Sequence, residues 1–165
     1  MIPLALSIIT FVAYVLFPSL FRPGFLGRFV ALLFQFMVFV VPFHLAALAA
    51  FATFERPGLD DPLKGTNAEI MVWSNADNAQ VVAKLTLRQY ASLLFGYLCA
   101  IGIIFIIVYL FASNIDFRNT FGPAFQGVYL LALGSTLFFV FHYAVLSGYA
   151  ITFLFDKVNG VGSRD

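Results

Sequence analysis

Charge is what this chain has least of, and the places where it is missing say the most. Only 10% of the 165 residues are Asp, Glu, Lys or Arg, against about 25% in an average soluble domain. None lies in residues 1–21, 29–54, 89–115 or 119–155. Each of these runs reaches the roughly 20 apolar residues that a helix needs to cross a bilayer core. A helix on the surface of a soluble domain would carry charges along one face, and these runs have no such face. That excludes a water-soluble fold. The lack of acids inside the runs also removes the usual markers of a proton or ion path.

Cysteine is almost absent as well. Cys99 stands alone, which rules out a disulfide within the chain, and inside an apolar run it reads as a small packing group. A net charge of +1 supplies neither a basic field for nucleic acid nor an acidic tail for a cationic partner. Walker, GxGxxG, HExxH and GxSxG patterns are all missing. The acids Glu55, Asp60, Asp61 and Glu69 have no histidine beside them and read as solvated turn residues. The expectation is a chain that is not an enzyme.

What is present is hydrophobic bulk: 62% of residues, with 22 Phe. It predicts an all-α protein, an integral membrane four-helix bundle forming one domain. The spans fall at about 2–21, 28–54, 89–112 and 124–155, with one extramembrane loop at 55–88. The first run has no basic leader and no Ala-x-Ala-like exit, so it reads as a retained helix and not a signal peptide. Arg22-Pro23-Gly24 is so short a turn that it predicts the first two helices as antiparallel neighbours. Pro42 interrupts the second span and frees the carbonyl of Val38. The fourth span is longer than a bilayer requires, which predicts a tilt, a bend at Gly134 or Gly148, or a projecting end.

Within 55–88, Glu69–Trp73 suits a short strand or an interfacial anchor, and Trp73, the only tryptophan, suits the headgroup layer. Asp77-Asn78-Ala79-Gln80 has the spacing of a capping box. It predicts an amphipathic helix with Gln80, Lys84 and Arg88 on one face and Val81, Val82 and Leu85 on the other. Four spans put both termini on the side of this loop. That side carries six of the nine Lys and Arg residues, which assigns it to the cytoplasm or matrix by the positive-inside rule. A bacterial inner membrane or an organellar inner membrane is the expected location.

Two constellations stand out inside the spans. Ser92, Gly96 and Ala100 form one small-residue ridge, Ala144, Gly148 and Thr152 a second at the same depth, and Ala46 and Ala50 a weaker third. Such ridges let helix backbones approach closely in lipid, within one chain or between chains. The two histidines, His44 and His142, lie within about 5 Å of each other in depth. Neutral imidazoles on two helices have the chemistry of b-type haem ligands, with Arg56 or Arg88 placed to meet a propionate.

The functional expectation is a non-enzymatic subunit that packs into a larger membrane assembly, such as a secretion, conjugation or energy-transducing machine. Its partners would be other membrane subunits and lipid, with no nucleic acid and no cofactor. The alternative is a small haem b electron-transfer anchor held by His44 and His142. A pore built on the small-residue ridges is a third possibility.

Overall fold

The computed structural model describes residues 1–53, 55, 58–63, 68–76 and 78–159. Five helices and one hairpin follow in the order α1 (Ile2–Leu16), α2 (Phe25–Thr53), β1 (Glu69–Ser74), β2 (Ala79–Lys84), α3 (Leu87–Ala112), α4 (Phe117–Phe121) and α5 (Phe125–Asn159). Helices α2 and α3, and the stretch Phe117–Phe153 that holds most of α5, are long and apolar enough to cross a membrane. A chain in hydrocarbon must satisfy its backbone donors internally, and uninterrupted helices do so.

The first helix departs from the expected span. Pro18 has no N–H and disfavours helix at the residue before it. Accordingly α1 ends at Leu16, Phe17 leaves the helical region at φ −127° and ψ 60°, and a 3₁₀ turn follows at Pro18–Leu20. Fifteen residues cover only about 22 Å, short of a bilayer core of roughly 30 Å.

Packing also departs from an up-and-down ring. Helix α2 pairs with α3 and α1 pairs with α5, while the backbones of α1 and α2 do not approach each other. Residues 17–24 reach as far as about 27 Å when extended, so the connection does not force its two helices together. The α2 stripe Leu33, Met37, Val41, His44 and Phe51 is buried against Ala91, Phe95, Leu98, Cys99 and Gly102 of α3. Phe34 stacks on Tyr109 at 4.5 Å and Phe51 on Phe95 at 5.9 Å, so the pair is antiparallel. The two pairs join where Phe105 of α3 stacks on Phe139 of α5 at 4.8 Å.

The register of α1 on α5 sets its depth. Tyr14 meets Tyr129 with 3.0 Å between hydroxyls, and Phe11 lies 3.7 Å from where a Cβ on Gly134 would stand. Leu4 and Phe138 line one apolar groove of about 620 Å³ between the two helices. The helices are therefore antiparallel, and α1 starts near the level of Phe138. Through the Phe105–Phe139 stack, that level is 18 residues inside α3, or about 27 Å from its start. Helix α1 covers only the first half of α5.

The segment between α2 and α3 is not a bare loop, and the chain is not all-α. Strands β1 and β2 pair antiparallel, with Met71 opposite Val82 and Trp73 opposite Gln80. Residues 79–84 are thus a strand where the three- and four-residue spacing predicts a helix. Val81 and Val82 favour the pleat once Ile70 and Val72 are alongside, a pairing that local spacing does not reveal. The capping box falls later: Thr86 Oγ1 accepts from Gln89 N at 3.2 Å, and Thr86 N donates to Gln89 Oε1 at 3.0 Å. Of the expected box at 77–80, Asp77 lies outside the described residues.

The base of the hairpin is stitched to the helix ends. Leu63 N donates to Leu85 O at 3.0 Å, and Arg88 N to Leu59 O at 2.8 Å. The Arg88 guanidinium grips both carboxylate oxygens of Asp60, at 2.7 and 3.1 Å, and donates through Nη1 to Phe51 O at 2.8 Å. That last bond satisfies a carbonyl in the final turn of α2, which has no intrahelical donor to rely on. One side chain therefore holds the end of α2, the start of α3 and the loop between them.

Candidate functional site

Polar side chains at membrane depth are few, and the pairs they form across helices all end on α5. Tyr14 reaches Tyr129 from α1, His44 reaches Tyr143 from α2, and Tyr97 and Tyr90 reach His142 and Tyr149 from α3. Separations between the paired atoms run from 3.0 to 3.3 Å. In lipid, an unpaired hydroxyl or imidazole has no water to turn to, so each pairing removes a desolvation cost.

The central pair is His44 with Tyr143. His44 is 6% exposed and Tyr143 1%, and His44 Nδ1 lies 3.0 Å from the phenol oxygen. Phe95 and Phe139 flank them with ring centroids at 5.9 Å. Space for the phenol comes from Gly102: a Cβ there would overlap Val41 Cγ2 and stand 3.3 Å from Tyr143 Oη. Cys99 is buried beside them, its thiol 4.0 Å from Val41 O, and behaves as a small packing group.

His142 looks elsewhere. Successive helical residues project about 100° apart, so the neighbour of Tyr143 cannot share its direction. The His142 Nε2 pairs with Tyr97 Oη at 3.0 Å, and its ring stacks on Phe138 at 5.7 Å. No hydrogen bond or ring contact joins the two imidazoles among the described residues. Each imidazole is instead paired with its own phenol, His44 with Tyr143 and His142 with Tyr97. Arg88 is engaged by Asp60 and Phe51; Arg56 lies outside the described residues.

The small-residue ridges are also placed differently from packing within one bundle. A Cβ on Gly96 or on Gly148 would meet nothing within 4 Å. Ser92 and Gly96 are only partly covered, and Ala100, Ala144, Gly148 and Thr152 are exposed. The glycine that does permit close approach is Gly102, which belongs to neither ridge. On α5 the reason is geometric. Gly148 follows Leu130, and Thr152 follows Gly134, by five full turns at about 3.6 residues per turn. Leu130 and Gly134 line the groove against α1. The ridge therefore continues the α1-facing stripe of α5 past the point where α1 stops.

Reasoning from sequence singles out the two histidines, as rare polar residues in apolar runs, but misses Tyr97 and Tyr143 as their partners. Seven tyrosines are ordinary in a chain so rich in aromatics. The signal available was adjacency: Tyr143 directly follows His142, so two polar side chains leave one turn of α5 toward different neighbours. No protein-family model, no curated protein and no solved structure matches this chain.

Proposed function

We propose that this chain is a non-enzymatic subunit of a larger membrane assembly, and that the uncovered half of α5 seats a helix of another subunit. The observation that carries this reading is the break in one continuous stripe. Leu130 and Gly134 are half-buried in the groove against α1, while Gly148 and Thr152, five turns further on the same face, are exposed, and a Cβ on Gly148 would meet nothing within 4 Å. Small residues gain little by facing lipid, but they let a helix backbone approach closely.

The exposed Tyr97–His142 pair supports the same reading from a second side. A hydrogen-bonded phenol and imidazole facing outward at membrane depth is an unusual surface for hydrocarbon and an ordinary one for a protein partner. The mechanism is scaffolding: the helix pairs present these faces, and the hairpin base fixes how α2 and α3 are spaced.

Co-purification from the native membrane in mild detergent tests this directly. The chain is expected to emerge with at least one further membrane protein. Gly148→Leu is expected to lose that protein while still eluting as a folded species on size exclusion. A wild-type chain that emerges only as a monodisperse monomer would sink the proposal.

A further inference from the structure

The end of the molecule opposite the hairpin carries three arginines and an aromatic girdle, and neither is used by the scaffold described above. Arg22 directly follows the charge-free run 1–21, Arg28 directly precedes 29–54, and Arg118 directly precedes 119–155. Each therefore stands at the level where hydrocarbon gives way to headgroups. All three are exposed.

None has an acidic partner. Among the described residues the one ion pair is Arg88–Asp60, at the other end. The single acid nearby, Asp116, caps α4: its Oδ1 accepts from Asn119 N at 3.2 Å and its Oδ2 from Asn119 Nδ2 at 2.6 Å. Arg28 Nη2 donates to the Pro23 carbonyl, which folds its guanidinium back over the α1–α2 turn. The net charge at this end is +2, from Arg22, Arg28 and Arg118 against Asp116.

Aromatic rings gather at the same end. Tyr14, Phe21, Phe25 and Phe29 form a chain with centroids 5.0, 5.0 and 5.4 Å apart. Phe125 and Tyr129 of α5 lie 6.1 Å apart, and Tyr129 lies 6.3 Å from Tyr14. Two of these rings, Tyr14 and Tyr129, are of the amphipathic type enriched at the headgroup level.

We propose that this end is a docking surface for anionic phospholipid, with Arg22, Arg28 and Arg118 taking the headgroup phosphates. A guanidinium matches a phosphate in a two-pronged hydrogen bond as well as in charge. Among the described residues no carboxylate pairs with these arginines, and the nearby Asp116 is engaged by Asn119. Anionic headgroups are the occupant that cancels the charge without bringing in another protein, so the assignment stands apart from the scaffolding role.

Native mass spectrometry of the full chain, equilibrated in mixed micelles of phosphatidylglycerol and phosphatidylcholine with matched acyl chains, reads the preference directly. Phosphatidylglycerol is expected to be retained over phosphatidylcholine. Arg118→Gln should weaken that preference about fivefold, and combined substitution of all three arginines by Gln should remove it. Lys84→Gln, at the opposite end, should leave it unchanged. Arg118 is exposed on a short helix, so its single variant reports even if the triple variant does not fold. Equal retention of both lipids by the wild type, or full preference in Arg118→Gln, would overturn the proposal. So would loss of the preference on adding inorganic phosphate at constant ionic strength, which would assign the site to the free anion.

Discussion

Gly96 and Gly102 sit six residues apart on α3 and meet opposite surroundings. A methyl on Gly102 would run into Val41 Cγ2 and crowd the Tyr143 phenol, and valine, being β-branched, has little freedom to turn aside. Overpacking of this kind costs about 1–3 kcal/mol, more than the roughly 1 kcal/mol that alanine gains over glycine in a helix. Gly102→Ala is therefore expected to destabilise the chain, and Val41→Ala in the same molecule to restore part of the loss. Gly96→Ala, which meets open space, should be neutral or up to about 1 kcal/mol stabilising. Unfolding titrations in mixed SDS micelles separate the cases, and equal behaviour of the two glycines would contradict the packing described.

At the scale of elements, the clasp at the hairpin base makes a prediction about pH. The Arg88 guanidinium holds the Asp60 carboxyl below its ordinary range. A carboxyl depressed by folding contributes stability that is present above its unfolded value and is lost as pH falls through the folded one. The melting temperature of the wild type should therefore drop more steeply than that of Asp60→Asn below the usual carboxylate range, and the two curves should converge in acid. Parallel curves would mean that the ion pair contributes nothing measurable, as many exposed pairs do.

The hairpin itself closes at Asn78, whose φ of 47° is a left-handed conformation that Asn tolerates and β-branched residues do not. Asn78→Gly should fold normally, while Asn78→Val should cost about 1–2 kcal/mol and loosen strand pairing, visible as faster amide exchange at Val81 and Ala83.

Elements also differed in how far the sequence disclosed them. The long spans were legible because water would demand charges that the runs 29–54, 89–115 and 119–155 lack. The short reach of α1 was not, since Ile2–Phe21 is apolar throughout and only Pro18 hints that its helix stops early. Strand β2 was hidden because Gln80, Lys84 and Arg88 fit a helical face, while its true partner lies ten residues upstream. The helix pairing was equally illegible: facing lipid and facing another helix select the same apolar side chains. For the candidate site, rarity exposed His44 and His142, while Tyr143 was marked only by its adjacency to His142 and Tyr97 by nothing local.

For the whole molecule, three helices long and apolar enough to cross a membrane and a shorter α1 lead to the expectation of three crossings, with α1 entering from the arginine end. Single-cysteine variants in a Cys99→Ala background test it. With a membrane-impermeant maleimide, Asn75→Cys is expected to react from one side and Asn119→Cys from the other. Ile2→Cys, near the level of Phe105 in α3, should react from neither. Labelling of Ile2→Cys from the same side as Asn75→Cys would restore four full crossings.

The four tyrosine and histidine pairs that end on α5 have a consequence in time. A ribosome makes α5 after α1, α2 and α3. Until it enters the bilayer, Tyr14, His44, Tyr90 and Tyr97 have already been delivered without the side chains that satisfy them in the finished protein. The early helices are thus a waiting intermediate whose polar groups must borrow lipid headgroups, water or an insertion factor. Arrival of α5 supplies the partners that complete the four pairs.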